Sequence, residues 1–227
     1  MEKKKKNFHH DFMDIGYNDL VAETTDTGRT YTTPYNKSYP SITTVLSILS
    51  EDAIRAWRER VGSAEADKIS YKASSRGTKV HSIIEKYIRN EDTNDFLPHI
   101  KQSLENLKPV LEDIGTVFGL EVPLYSDHLG VAGRCDCIAQ YNGVPSIIDF
   151  KTSRYIKKKE KISHYFAQGA AYAIMWEERT GLIIPNVVII MDVDHEKPVV
   201  FVEHRDNYTK LLKETIDEYR TRKMFGH

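Results

Sequence analysis

Hydrophobic residues recur with two different periods along the chain, and the change falls near residue 116. Before it, hydrophobic positions follow the helical spacing of 3.6, as Val80, Ile83, Ile84 and Tyr87 do. After it, β-branched residues first follow the alternation typical of strands. The predicted helices cover residues 42–49, 50–61, 75–89, 95–114, 162–179 and 207–223. The predicted strands cover residues 117–125, 130–141, 144–151, 186–193 and 199–204.

This order of elements predicts an α+β fold, with a mixed central β-sheet flanked by helices and an N-terminal helical layer. Residues 1–40 combine a run of lysines with a polar, Thr- and Tyr-rich stretch, which predicts a basic tail and an irregular or hairpin-like entry segment. Residues 41–227 are expected to form a single domain. Its helical part covers residues 41–115, and its α/β core covers residues 116–227.

Composition and charge narrow the class of protein. The 32 basic and 33 acidic residues nearly cancel, so any affinity for nucleic acid must come from local clusters. No run approaches the ~18–20 apolar residues of a membrane span, and the first residues do not resemble a targeting peptide. Cys135 and Cys137 are two positions apart on a predicted strand, which places them on one face without an easy disulfide. We therefore expect a soluble monomer, cytoplasmic or nucleoid-associated, with no membrane partner.

The dipeptide Asn142-Gly143 predicts a two-residue hairpin turn between the second and third strands. In that register the numbers of paired residues sum to 285, so Asp136 faces Asp149 and Arg134 faces Lys151. Opposed carboxylates repel each other, and a divalent cation such as Mg²⁺ or Mn²⁺ would offset the repulsion. Lys151 lies on the same face as Asp149. The alternative is a solvated ladder of surface ion pairs, but Asp149 ends an apolar and therefore buried strand, where an unpaired charge is costly.

Longer motifs around these residues match a known pattern. They are Gly77-x-x-x-His81, Gly133-x-x-Asp136, Asp149-Phe150-Lys151 and Gln168-x-x-x-Tyr172. Their order and spacing resemble the PD-(D/E)xK nucleases, which have a restriction-endonuclease-like core, and within them the RecB-type branch. Together with Pro40-Ser-Ile-Thr and Trp57-x-x-Arg60, the pattern is similar to the family of the mitochondrial genome maintenance exonuclease and its phage and bacterial relatives. The resemblance covers residues 39–219.

The resemblance implies roles for individual residues. Asp136, Asp149 and the carbonyl of Phe150 would bind the metal, with His81 as a further ligand and Glu121 as either an additional ligand or an ordinary strand acid. Lys151 would orient or deprotonate the attacking water. Gln168 and Tyr172 would border the active site and contact substrate, although Tyr172 also suits the core. Relatives with an iron–sulfur cluster need four cysteines, so the two present here exclude that cofactor.

A basic loop follows the third strand of this hairpin region. Its cationic residues are Lys151, Arg154, Lys157, Lys158, Lys159 and Lys161. Such a run is often only solvated. Beside a phosphodiesterase site it is better explained as a track for a nucleic-acid backbone, with Arg154, Lys157, Lys158, Lys159 and Tyr172 as the contacting residues.

The sequence therefore predicts a metal-dependent DNA exonuclease that prefers single-stranded DNA or frayed ends and serves DNA repair, replication or recombination. The chain has no P-loop motif, so unwinding would need a helicase or another replication or recombination partner. Three alternatives stay open. They are a structure-selective or flap endonuclease on the same fold, a non-catalytic DNA-binding scaffold, and an ordinary soluble enzyme with a coincidental ion-pair ladder.

Overall fold

The computed structural model describes residues 6–226, so the first five residues of the predicted basic tail and His227 lie outside the described residues. The N-terminal part contains β1 (Val21–Thr25), β2 (Gly28–Thr32), β3 (Ser38–Pro40), α1 (Ile42–Leu46), α2 (Glu51–Val61), α3 (Ser63–Ile88) and α4 (Pro98–Leu111). The C-terminal part contains β4 (Ile114–Ser126), β5 (Val131–Tyr141), β6 (Val144–Ser153), α5 (Ser163–Thr180), β7 (Asn186–Val193), β8 (Val199–His204) and α6 (Asp206–Phe225).

A mixed five-stranded sheet forms the centre of the fold, in the order β4-β5-β6-β7-β8. All neighbours in it are antiparallel except β6 and β7, which are parallel and are joined through α5. Ile148 and Phe150 pack in one hydrophobic cluster with residues of α3 and α4, and Ile147 packs in another with residues of α1, α5 and α6. The mixed α+β architecture is thus confirmed, with helices on both faces of the sheet.

The structure differs from the sequence prediction in helix α3, which begins at Ser63 instead of near residue 75. Within its first half only Ala66 is buried, so no hydrophobic stripe marks that part of the helix. Helix α2, which precedes it, has no buried residue. The first half of α3 packs little on the core, so hydrophobic periodicity gives no signal for it, whereas the second half carries the buried residues Val80, Ile83, Ile84, Tyr87 and Ile88.

The entry segment is more ordered than its composition indicates. Strands β1, β2 and β3 form a small antiparallel sheet, and Tyr31 of β2 is buried. Ahead of that sheet, the backbone around His9 and Asp11 hydrogen-bonds to β4 at Val117 and Phe8 packs into the core cluster under α3 and α4. Hydrogen bonding to the edge of the central sheet fixes this stretch.

The hairpin register agrees with the sequence over the first five pairs and then stops. The pairs run from Tyr141 with Val144 to Cys137 with Ile148, and Asn142 and Gly143 have positive φ as the turn requires. The next pair, the directly opposed aspartates, is absent from the described ladder, as is the pair Arg134 with Lys151. Strand β5 stays paired with β4 and strand β6 with β7, so β5 and β6 part. Past that point the side chain of Asp136 accepts a hydrogen bond from the N–H of Phe150. Among residues 6–226, no helix is long and apolar enough to cross a membrane.

Candidate active site

Strand β4 is kinked at Glu121, close to the point where β5 and β6 part. Glu121 has φ +51°, a left-handed conformation that is uncommon for a residue other than glycine. Leu120 and Cys137, paired just before the kink, belong to the cluster under α3 and α4. Val122 and Cys135, paired just after it, belong to the cluster on the opposite face. The regular alternation of side chains is therefore broken at this point.

This kink corrects the prediction that Cys135 and Cys137 share one face. They lie in different clusters because the strand pair turns between them, and both are buried free thiols. Asp136 lies between the cysteines on β5, and Glu121 lies between their partners, Leu120 and Val122, on β4. Two acidic side chains are thus placed together where the sheet changes face, and backbone strain of this kind is concentrated at functional sites.

His81 of α3 joins these two acids to make a candidate metal site. One donor atom each from His81, Glu121 and Asp136 lies within 4.8 Å of the other two. His81 Nδ1 is 3.4 Å from Asp136 Oδ2, and the same oxygen accepts a hydrogen bond of 2.9 Å from the N–H of Phe150. Two carboxylates and one imidazole are a donor set that divalent metals accept, so these residues fit a metal ion. Phe150 meets Asp136 through its N–H, and its carbonyl as a ligand stays a prediction.

Asp149 lies outside this trio and is held by Lys151 and Gln168. Lys151 Nζ is 2.7 Å from Asp149 Oδ1 and 2.5 Å from Oδ2, and Gln168 Nε2 donates to Oδ1 at 3.2 Å. Asp149 is almost fully buried, and Oδ2 has no hydrogen-bond partner of good geometry among the described residues. A buried carboxylate oxygen of this kind could accept a further cationic partner. Its role as a metal ligand stays a prediction.

Burial and neighbouring charges set the pKa values of these groups. Burial together with the charges of Asp136 and Glu85 raises the pKa of Glu121 to about 7. Burial also raises the pKa of Asp149, against the opposing effect of Lys151. For Asp136, burial acts in the same direction, but His81, Lys151 and the N–H of Phe150 outweigh it and its pKa is lowered. Asp136 is therefore the carboxylate that stays charged most readily.

The two basic groups respond to the same acids. Burial alone would lower the pKa of His81, but the charge and hydrogen bond of Asp136 outweigh it, and the pKa is raised. The pKa of Lys151 is likewise raised, because the charges of Asp149 and Asp136 outweigh its burial. Lys151 is thus a cation at neutral pH, which suits the stabilisation of negative charge better than the removal of a proton.

Tyr172 lies both in the core and at the site. Its ring packs against Gly133, where an added Cβ would come within 2.8 Å of the ring and of the hydroxyl. The side chain is buried, and it also lines the cavity above Asp136. Gly133 is thus required for the close approach of α5 to β5. This packing explains why the Gly133-x-x-Asp136 motif has a glycine at that position.

A cavity of about 520 Å³ lies over the trio, and the N-terminal segment forms one of its walls. Its lining includes Gln168 and Tyr172 as well as the trio. The wall that the sequence analysis did not identify is made of Arg29, Tyr31, Ser41 and Thr43. Nothing in the hydrophobic pattern marks Arg29 or Tyr31. Ser41 and Thr43 stand in the Pro40-Ser-Ile-Thr motif, which was the available signal for this wall.

The basic loop begins next to Lys151, but its cations differ in their surroundings. The ammonium groups of Lys151 and Lys157 lie 5.1 and 5.2 Å from the centre of the Tyr165 ring, and Lys157 also donates to the Tyr165 hydroxyl. Lys159 forms an ion pair with Glu203 of β8. Arg154 and Lys158 are exposed to solvent. Of the residues predicted to bind nucleic acid, these last two are thus the best placed to meet a ligand from solution.

Comparisons with known proteins add a distant likeness. No family model matches the chain, and no curated protein matches it. Among solved structures, it is similar to a protein of Eubacterium rectale provisionally named an exonuclease, with 17% identity, a TM-score of 0.45 and 65% of each chain covered. Another, SSO0001, shows 14% identity and a TM-score of 0.36, with 72% of this chain and 69% of that chain covered. The chain thus spans just under two thirds of the first protein's length. Likeness of this degree identifies neither family nor activity, so the site itself must carry the functional argument.

Proposed function

We propose that this protein is a divalent-metal-dependent DNA exonuclease with a PD-(D/E)xK core of the RecB-type branch, acting on single-stranded DNA or frayed ends. The observation that carries the proposal is that two groups of side chains lie next to each other. A histidine–carboxylate trio that fits a metal lies beside a buried carboxylate–lysine pair, and the trio lines a cavity of about 520 Å³. Metal ligands and a cation at one point are what phosphodiester hydrolysis needs.

The residues divide the work of hydrolysis between them. A bound Mg²⁺ or Mn²⁺ would polarise the phosphoryl oxygen and lower the pKa of a coordinated water. His81, Glu121 and Asp136 would hold the ion, with Asp149 and the Phe150 carbonyl completing its coordination. Lys151 would place its ammonium against the attacking water and the charge that develops on the phosphate. Gln168 holds Asp149 in place by the hydrogen bond described above.

Mn²⁺ is expected to support activity at lower concentration than Mg²⁺. Carboxylates suit both ions, but the imidazole of His81 is a ligand that transition metals accept more readily than Mg²⁺ does.

The cavity above the trio and the exposed cations of the loop support nucleic acid as the substrate. The wider assignments rest on the sequence resemblance alone. These are a role in DNA repair, replication or recombination, a helicase or similar partner, a monomeric state, and a cytoplasmic or nucleoid location.

The test is digestion of DNA labelled at one end. Linear single-stranded, linear double-stranded and covalently closed single-stranded DNA are incubated with Mn²⁺, Mg²⁺ or EDTA. We expect shortening of linear single strands with either metal, none in EDTA, and no cleavage of the closed circle. Cleavage of the circle would identify an endonuclease instead. Binding of DNA without cleavage under all conditions would identify a scaffold, and neither binding nor cleavage would make the ion-pair cluster coincidental.

Metal affinity is expected to rise between pH 6 and pH 8. Glu121, with its pKa raised to about 7, and His81, whose pKa is also raised, are largely protonated at pH 6 and must release protons to bind metal. Each proton released contributes about a tenfold gain in affinity per pH unit below the pKa of its group. Calorimetric Mn²⁺ titrations in two buffers of different ionisation enthalpy count these protons. Glu121→Gln should remove about one, whereas Glu214→Gln, at an exposed position on α6, should not.

The exposed cations of the loop are expected to set the salt dependence of DNA binding. Each phosphate contact to a single strand contributes a slope of about −0.7 in a plot of log K against log salt. The double substitution Arg154→Gln with Lys158→Gln should therefore flatten the slope by about 1.4. Lys159→Gln is the matched control, because its charge is already paired with Glu203. Equal slopes in the double variant and the wild type would assign the loop to solvation.

A further inference from the structure

A second cavity, of about 460 Å³, adjoins the one above the metal trio. It lies between residues 12–18 and strand β4, and pockets of ~300–1,000 Å³ are the size that holds small ligands. Glu121 and Arg134 line both cavities. One of these shared residues, Glu121, is a candidate metal ligand, so a ligand in the second cavity would lie beside the candidate metal trio.

Two arginines stand where the cavities meet, and both are held in place. Arg134 Nη1 donates to the carbonyl of Glu121 at 2.8 Å, and Nη2 pairs with Asp19. Arg89 Nε is 2.9 Å from Glu85 Oε1, with Glu85 lining the first cavity and Arg89 the second. Guanidinium groups are the preferred protein partners of phosphate because their planar fork can donate two parallel hydrogen bonds. These contacts fix both side chains in place, and a bound phosphate would share Arg134 with Asp19 and Arg89 with Glu85.

The wall of the second cavity offers aromatic and apolar surface. Phe118 and Pro123 of β4 line one side, and Phe12 and Met13 line the other. Phe12 is 52% exposed, yet its ring stacks on His10 with a centroid distance of 5.0 Å. An exposed aromatic ring held by a neighbour is a suitable platform for a nucleobase, since every base can stack on it. Two acidic residues line this cavity: Glu121, which belongs to the trio, and Asp14, which accepts a hydrogen bond from the N–H of Gly16.

We propose that this second cavity binds the terminal nucleotide of the DNA strand, with its base against Phe12 and its phosphate toward Arg89 and Arg134. The proposal rests on the proposed nuclease function. It adds that the strand end is recognised one nucleotide from the metal trio, so that products are single nucleotides. Because stacking on an aromatic ring does not distinguish bases, all four nucleotides are accepted.

The first test is direct binding of thymidine 5′-monophosphate and thymidine 3′-monophosphate in the presence of Mn²⁺, measured by calorimetry. Phe12→Ala and Arg89→Gln should each weaken binding of the nucleotide about tenfold. Arg89→Lys, which keeps the charge, should recover part of the loss. Phe225→Ala and Arg55→Gln are the matched controls, an exposed aromatic residue and an exposed arginine on α6 and α2, and should bind as the wild type does.

The second test is the length of the products released from linear single-stranded DNA. Wild type should release single nucleotides, and Phe12→Ala should release longer products or raise KM without changing metal affinity. Unchanged nucleotide binding in both cavity variants, or displacement of the nucleotide by an equal concentration of inorganic phosphate, would overturn the cavity assignment while the nuclease function stands. Absence of cleavage by wild type would overturn the function, and the binding measurement would still decide whether the cavity holds a nucleotide.

Discussion

Replacement of Asp136 by asparagine is expected to abolish metal-dependent cleavage, with a loss of about 10³-fold or more. Asp136 is the acid whose pKa the site lowers, because His81, Lys151 and the N–H of Phe150 favour its charged form over the effect of burial. Asparagine can still accept from the Phe150 N–H, but it brings no charge to the metal, and a metal's contribution to charge stabilisation is worth several kcal/mol. End-labelled DNA digestion and Mn²⁺ titration measure both effects.

The same variant should also change the pKa of His81. Asp136 raises the pKa of His81 through its charge and hydrogen bond, so Asp136→Asn should lower that pKa, which NMR titration in EDTA can follow. Asp217→Asn, on the exposed face of α6, is the control and should alter neither cleavage nor the His81 titration. Retention of more than a tenth of wild-type turnover by Asp136→Asn would place the metal elsewhere.

Replacement of Lys151 by alanine is expected to slow the chemical step by ~10²–10⁴-fold while leaving metal affinity within a few-fold of wild type. The reason is its position. Its ammonium lies 2.7 Å from Asp149 Oδ1, next to the trio but without a lone pair for the ion while it is charged. Single-turnover kinetics at saturating DNA measure the first effect, and calorimetric Mn²⁺ titration the second.

A loss of metal binding in this variant would assign Lys151 a structural role. Because removal of one partner leaves Asp149 buried without its cation, Lys151→Ala should also lower the free energy of unfolding by about 1–3 kcal/mol. The double variant Lys151→Ala with Asp149→Asn removes that buried charge and should restore stability without restoring turnover. Lys210→Ala, at an exposed position on α6, controls for the loss of a surface charge.

The Asn142-Gly143 turn was sufficient for the sequence to place Asp136, Asp149 and Lys151 in one region. A two-residue turn fixes the register of the strands on either side, and strand alternation then decides which side chains follow one another on a face. The register was correct for the five pairs nearest the turn. It failed at the sixth, because pairing of β5 with β4 and of β6 with β7 pulls the strands apart there. A turn can control only the pairs near it.

The residues that the sequence did not identify are brought to the site by contacts between segments far apart in the chain. Arg29 and Tyr31 reach the cavity from a small sheet in a segment whose polar composition predicted an irregular entry. Lys159 seemed equivalent to Lys158 in the chain, yet only the approach of β8 brings Glu203 to it. Contacts between segments far apart in sequence leave no periodic signal, because periodicity reports only which face of an element is buried.

What the sequence determined by itself is therefore local: the order of helices and strands from residue 42 onward, the hairpin register near its turn, and the nearness of two acids and a lysine. Only the tertiary structure decided that β5 and β6 part, that Glu121 adopts a left-handed conformation close to Asp136, and that His81 approaches both acids from α3. Local features follow from backbone geometry within a few residues. The metal trio joins three elements that meet only when the hydrophobic clusters on the two faces of the sheet are packed, and that packing is a property of the whole fold.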